Sequence, residues 1–183
     1  MVSSDDSIQS IGDLKGRTVY LTGKGQTPDY ALQYLMKENG LADGDVVLEY
    51  KSEAAEVAAV LAEKEGAVGL LPQPFVTSAL SQNEALKMVL DLTAEWDKVQ
   101  GEGGSSLVTG VTVIRNEFLN QNTAAVKTFL EEYRASVQFT NENTEEAARL
   151  ITAQGIVAKE PIAQKAIPYC NITYIDGEDR KTA

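Results

Sequence analysis

Residues 17–92 alternate between two hydrophobic patterns. Short runs rich in β-branched and aromatic residues read as strands: RTVYLT (Arg17–Thr22), DVVLEY (Asp45–Tyr50), AVGLL (Ala67–Leu71) and LKMVLDL (Leu86–Leu92). Between them, apolar residues recur at helical spacing. TPDYALQYLMKENG puts Ala31, Leu32, Leu35 and Met36 on one stripe. Thr27 is its expected N-cap, with Pro28 at N1, Asp29 at the positive helix end and Asn39-Gly40 as the stop. SEAAEVAAVLAEKEG runs from Ser52 as N-cap through Val57, Val60 and Leu61 to Gly66, and PQPFVTSALSQNE is a short helix with Pro74 at N1. Such alternation predicts right-handed crossovers and a mainly parallel sheet covered by helices.

After Leu92 the rhythm changes. DKVQGEGGSS reads as a flexible loop and LVTGVTVIR (Leu107–Arg115) as a long strand. Only helices follow. One places Val126, Phe129, Leu130, Tyr133 and Val137 on a single face. The next starts at a Thr144 cap and stops at Gly155, and EPIAQKAI is short, with Pro161 near its start.

Composition narrows the chemistry. The 183 residues suffice for one domain, or one plus an appendage, and 43% hydrophobic content supports a real core. A net charge of −11 repels phosphate backbones, so no nucleic-acid partner is expected. The absence of histidine removes the usual general base and the commonest metal ligand. Cys170, the single cysteine, excludes an internal disulfide and a cysteine metal site, and reads as a small packed apolar residue. No metal, cofactor or catalytic residue is expected. The sequence has no run of 18 apolar residues, so no membrane-spanning helix is expected, and MVSSDDSIQS lacks the order of a signal peptide.

The turn Gly23-Lys24-Gly25 is not a phosphate loop of the Walker type, whose spacing it lacks. It also misses the third glycine of a dinucleotide fingerprint, where Pro28 stands. Two readings remain. It is a plain strand-to-helix turn, or it opens a helix start toward a carboxylate, sulfonate or phosphate. Ser52 and Glu53 begin the second helix, and Gln73 lies between Pro72 and Pro74 at the third. Three polar helix starts at one sheet edge look like a binding rim. Trp96 is a core anchor or a stacking face, and Tyr30 packs or reaches a ligand. Glu131-Glu132 and Glu145-Glu146 are sequence neighbours on helices and point apart, so neither is an acid/base pair.

Taken together, DLKGRTVYLTGKGQTPDYALQYLMKENGL, VVLEYKSEAAEVAAVLAEKEGAVGLLPQPFVT and GVTVIRNEFLNQN followed by VKTFLEEYRASVQFTNENTEEAARLI resemble the substrate-binding proteins of ABC importers. The similarity is to the type II branch that takes nitrate, sulfonates, taurine and thiamine precursors, and it runs from about Ile11 to Gly177. It implies a bilobed protein that holds a solute between two α/β lobes, hands it to a membrane permease and catalyses nothing. It also implies an extracytoplasmic location, periplasmic or lipid-anchored, with the signal segment outside this chain. Members carry about ninety further residues ahead of DLKGRTV, so this chain corresponds to the second lobe and the C-terminal helices.

The expected fold is therefore an α/β lobe of three α/β/α layers around a five-stranded mixed sheet, order 2-1-3-5-4 in chain order of the predicted strands, plus a C-terminal helical tail. The fifth strand, Leu107–Ile114, runs antiparallel as the returning hinge strand. Residues 1–10 are a leader or disordered segment, 11–114 the lobe, and 115–183 the hinge return and helices. By position, the resemblance places ligand contacts on Gly25, Gln26, Thr27, Ser52, Glu53, Gln73 and Pro74. The ligand is a small anionic or heterocyclic solute. Surface left by a missing lobe suggests a homodimer. The alternatives are the effector-sensing domain of a transcription regulator and a pyrimidine-precursor enzyme on the same fold.

Overall fold

The computed structural model describes residues 1–177. The last residues of the expected C-terminal segment, 178–183, lie outside the described residues. The chain divides into two units between Thr109 and Gly110, rather than at 114.

The first unit is the α/β lobe. Its strands are β1 (Val2–Ser3), β2 (Thr18–Thr22), β3 (Val47–Lys51), β4 (Val68–Gly69) and β5 (Lys87–Met88), in the order β3-β2-β4-β1-β5. Its helices are α1 (Thr27–Glu38), α2 (Ala54–Glu63), α3 (Phe75–Gln82) and α4 (Leu92–Gln100). β2 pairs parallel with β3 and with β4, while β1 pairs antiparallel with β4 and β5. This is the expected five-stranded mixed sheet with helices on both faces.

Two corrections concern which residues build it. The antiparallel place between the third and fourth predicted strands is filled by Val2–Ser3, not by Leu107–Ile114. Val2 lies opposite both Gly69 and Met88, and Ser3 opposite Val68 and Lys87. Residues 107–114 form no strand, and Val111 and Val113 are 77% and 88% exposed. A strand exists only where a partner offers its backbone groups, and that place is taken. Residues 1–10 are accordingly not a disordered leader: Val2, Ser3 and Ile8 are fully buried. The Met1 carbonyl accepts from Val89 N–H at 3.0 Å, and Arg17 pairs with Asp5 at 2.6 Å. The predicted strand over 86–92 also shrinks to Lys87–Met88. The residues after it, read as a loop from Asp97, continue as α4, whose N-cap Asp91 accepts from the N–H groups of Thr93 and Ala94.

The period-2 pattern of β2 splits its residues between two cores. Val19 and Leu21 join Ile11, Leu14, Leu32 and Leu35 on one face. Tyr20 joins Val57, Leu61, Leu71 and Val76 on the other. α2 lies close on β4: a Cβ added at Gly69 would stand 2.8 Å from Leu61 Cδ1 and 3.0 Å from Val57 Cγ1. Trp96 is a core anchor. Its ring packs at 5.0 Å from that of Tyr34, and its Nε1 donates to the Ser105 carbonyl at 2.7 Å.

The second unit holds α5 (Asn116–Gln121), α6 (Thr123–Glu142), α7 (Thr144–Ala153) and α8 (Glu160–Ala166). Ala147, Ala148, Ala163 and Ile167 form its small core. On the predicted face of α6, Val126 and Val137 are buried, whereas Phe129 and Tyr133 are 50% and 40% exposed. The Phe129 and Tyr133 rings stack at 6.0 Å, and Arg134 pairs with Asp176 at 2.8 Å. Cys170 is exposed, which corrects its reading as a packed residue. Its partial desolvation pushes the thiol pKa up, away from a reactive thiolate. No helix among the described residues is long and apolar enough to cross a membrane.

Candidate functional site

Because β2, β3 and β4 are mutually parallel, the segments leaving their C-terminal ends emerge at one edge of the sheet. These are Gly23–Gln26 before α1, Ser52–Glu53 before α2, and Leu70–Pro74 before α3. All seven predicted contact residues therefore share that edge. Ligands of open α/β sheets bind there, beyond the strand ends.

Local geometry shifts several assigned roles by one residue. α1 has Gln26 as N-cap, without a side-chain cap bond, so Thr27 is its first helical residue and Pro28 its second. α2 has Glu53 as N-cap rather than Ser52. Glu56 reaches back instead, accepting from Ser52 N–H at 3.3 Å. Pro74 is the N-cap of α3, not its first residue. Gln73 has half of its amide occupied: Oε1 accepts from Thr77 N–H at 3.2 Å and from Thr77 Oγ1 at 2.8 Å. Its Nε2 has no acceptor among the described residues, so toward a ligand Gln73 acts as a donor.

The glycine turn is a built feature. Gly23 and Gly25 both take left-handed φ, 72° and 75°. A Cβ at Gly23 would stand 2.7 Å from Gln26 Oε1. Gln26 N–H closes the turn on the Gly23 carbonyl at 2.9 Å. Lys24, between the two glycines, is exposed and makes no salt bridge among the described residues; its Nζ lies 5.3 Å from the centroid of the Tyr50 ring. Tyr30, one turn into α1, is 63% exposed rather than packed.

Beneath the turn lies a group that the sequence reading left at the helix dipole. Asp29 is 2% exposed. Its Oδ2 accepts from Gly25 N–H at 2.7 Å, and its Oδ1 from Gln33 Nε2 at 2.6 Å and Tyr50 Oη at 2.8 Å. Burial pushes the carboxyl pKa upward, but the three hydrogen bonds and the charge of Lys24 outweigh it and hold it below the usual carboxylate range. Burial and the same carboxylate push Tyr50 up to about 12. The available signal was an acid three residues past the N-cap, a position from which side chains reach back to free N–H groups.

Two apolar grooves lie elsewhere, in the second unit. One is lined by Ala135, Phe139, Ala147 and Leu150, the other by Val113, Phe118, Val126 and Phe129. The first also carries Ser136 and Thr140 and the second Thr112 and Arg115, but neither lies at the ends of parallel strands, so the strand-end edge is taken as the candidate site.

A family model described as menaquinone biosynthesis matches residues 2–175. Among solved structures, the chain is similar to an ABC transporter protein from Parabacteroides distasonis, at 22% identity and TM-score 0.65, covering 90% of this chain and 55% of that one. It is similar to the periplasmic aliphatic sulphonate binding protein SsuA from Escherichia coli, at 17% identity and TM-score 0.72, covering 97% and 57%. It is also similar to the alkanesulfonate-binding protein SsuA from Xanthomonas axonopodis pv. citri bound to MOPS, at 14% identity and TM-score 0.65, covering 99% and 58%. No curated protein matched the sequence. The likeness to importer binding proteins thus holds for the fold, and the chain spans little more than half the length of these structures. The family match overturns the expectation that the chain catalyses nothing, because it points to an enzyme of a biosynthetic route. That expectation rested on the missing histidine and on a resemblance that reports fold, and a fold does not specify chemistry.

Proposed function

The chain belongs to the menaquinone-biosynthesis family, and from that premise we propose that it is the substrate-binding lobe of an enzyme of that biosynthesis. The observation that carries the reading is the donor character of the strand-end edge. Lys24 brings an ammonium without a salt-bridge partner among the described residues, Gln73 brings a free amide N–H₂, and α1 begins with no side-chain cap. Donors set along one edge beyond parallel strand ends suit a small anionic substrate, most simply a carboxylate. Gly25, Gln26, Thr27, Ser52 and Pro74 shape the rim. Glu53, an exposed carboxylate on that edge, is a group there that can accept a proton.

The test is genetic and chemical. Deleting the gene in its host should abolish menaquinone, measured by extraction and mass spectrometry. The wild-type gene should restore it, and a Glu53→Gln gene should restore it poorly. Unchanged menaquinone in the deletion strain overturns the reading.

A second reading is favoured by the three similar structures, all of solute-binding or ABC-transporter proteins. In it the lobe serves an importer, outside the cytoplasm, with a membrane permease as partner and a small anionic or heterocyclic solute as ligand. The deletion strain would then keep its menaquinone and lose uptake of the solute. The comparisons lend no support to a homodimer.

A further inference from the structure

Asp29 is more deeply buried than its place in a first helical turn requires. An exposed acid there interacts with the helix dipole at no desolvation cost. A buried carboxylate is costly unless donors reach both of its oxygens. Asp29 meets that condition with three donors from three places: Gly25 in the turn, Gln33 one turn further along α1, and Tyr50 near the end of β3. One side chain therefore ties the β2–α1 turn to the neighbouring strand.

The consequence falls on Lys24. It sits between two glycines whose backbones have wide freedom, so the turn has little intrinsic reason to hold one shape. Two bonds restrain it: Gln26 N–H to the Gly23 carbonyl, and Gly25 N–H to Asp29. The same carboxylate holds the Tyr50 hydroxyl, and the Tyr50 ring is the face over which the Lys24 ammonium lies. Both the loop that carries the cation and the ring that seats it are thus referred to one buried group.

We propose that Asp29 is the positioning residue for Lys24, holding its ammonium over Tyr50 at the strand-end edge, where it receives the anionic group of the substrate. The part concerning the substrate rests on the reading of the site as an anion receiver. The part concerning Lys24 does not.

The experiment has two arms on the full chain. The first uses nuclear magnetic resonance without any ligand and follows the ε-methylene protons of Lys24, assigned by loss of their signal in Lys24→Gln, together with the Gly25 amide. In the wild type the Tyr50 ring current should shift the Lys24 protons upfield. In Asp29→Asn they should return to the position of a free lysine and the Gly25 amide should move, while signals from α7 and α8 stay in place. Lys24 signals unmoved in Asp29→Asn overturn the proposal. Should that variant not fold, Tyr50→Phe keeps both ring and carboxylate but cuts one bond. It should move the Gly25 and Lys24 signals together, and leaving both unmoved overturns the proposal equally. The second arm titrates benzoate as a small carboxylate probe. Lys24→Gln and Asp29→Asn should each weaken its binding by about tenfold or more, and the double variant should be no worse than either. Equal affinity in wild type and Asp29→Asn overturns the positioning role. A wild type that binds no benzoate removes support for the anionic-substrate reading, and the first arm still decides the role of Asp29.

Discussion

The phenolic hydroxyl of Tyr50 donates a 2.8 Å hydrogen bond to the buried carboxylate of Asp29. The bond joins the end of β3 to the first turn of α1, across the edge where the candidate site lies. Tyr50→Phe removes the donor and leaves a buried carboxylate short of one partner. Hydrogen bonds to charged groups contribute about 1.5–3 kcal/mol, so urea unfolding of this variant should show a loss of that order with little change in slope.

The pair also sets a pH response whose sign is fixed by the two shifts. The Asp29 carboxyl is held below its ordinary range, so its contribution is present above the unfolded pKa and is lost as pH falls through the folded one. Tyr50 is raised to about 12, so its contribution is complete below about pH 10 and is lost as pH rises toward 12. The difference in melting temperature between wild type and Tyr50→Phe should therefore be level near neutrality and shrink above pH 10.

Gly69→Ala places a methyl 2.8 Å from Leu61 Cδ1. Forcing α2 away from β4 should cost about 1–3 kcal/mol, the usual price of overpacking. A second change, Leu61→Ala, opens the space, so in a double-mutant cycle the loss in the double variant should be smaller than the sum of the two single losses.

Val2→Asp tests the unexpected central strand. Val2 is fully buried between β4 and β5, with no basic residue opposite it. An unpaired charge there should cost on the order of several kcal/mol. Circular dichroism should show loss of cooperative unfolding of the lobe. A change at Val113, 88% exposed, to Asp should leave stability within about 0.5 kcal/mol.

Gln73→Glu retains an oxygen acceptor for Thr77 and replaces the free amide N–H₂ by a second carboxylate oxygen. Stability should hold within about 1 kcal/mol, because the acceptor for Thr77 N–H and Oγ1 survives. Thermal shift by benzoate should fall sharply, since the rim then repels an anion. Retention of the full shift would remove Gln73 from the site.

What the sequence determined by itself was the local grammar. β2, β3, α1 and α2 each carry enough periodic apolar residues to declare their type, and strict alternation of strand and helix makes the sheet mainly parallel. The edge carrying Gly25, Ser52 and Gln73 follows from that alternation alone. Tertiary structure decided the rest. Val2–Ser3 is too short to show a period, and its burial depends on the open backbones of β4 and β5. Leu107–Ile114 has the composition of a strand, yet it finds no such partner. Asp29 looked like an ordinary first-turn acid because its role depends on Tyr50, a residue distant in sequence that the sheet brings alongside. Pairing and burial depend on which distant segments meet, and a linear pattern records only what each segment is ready to do.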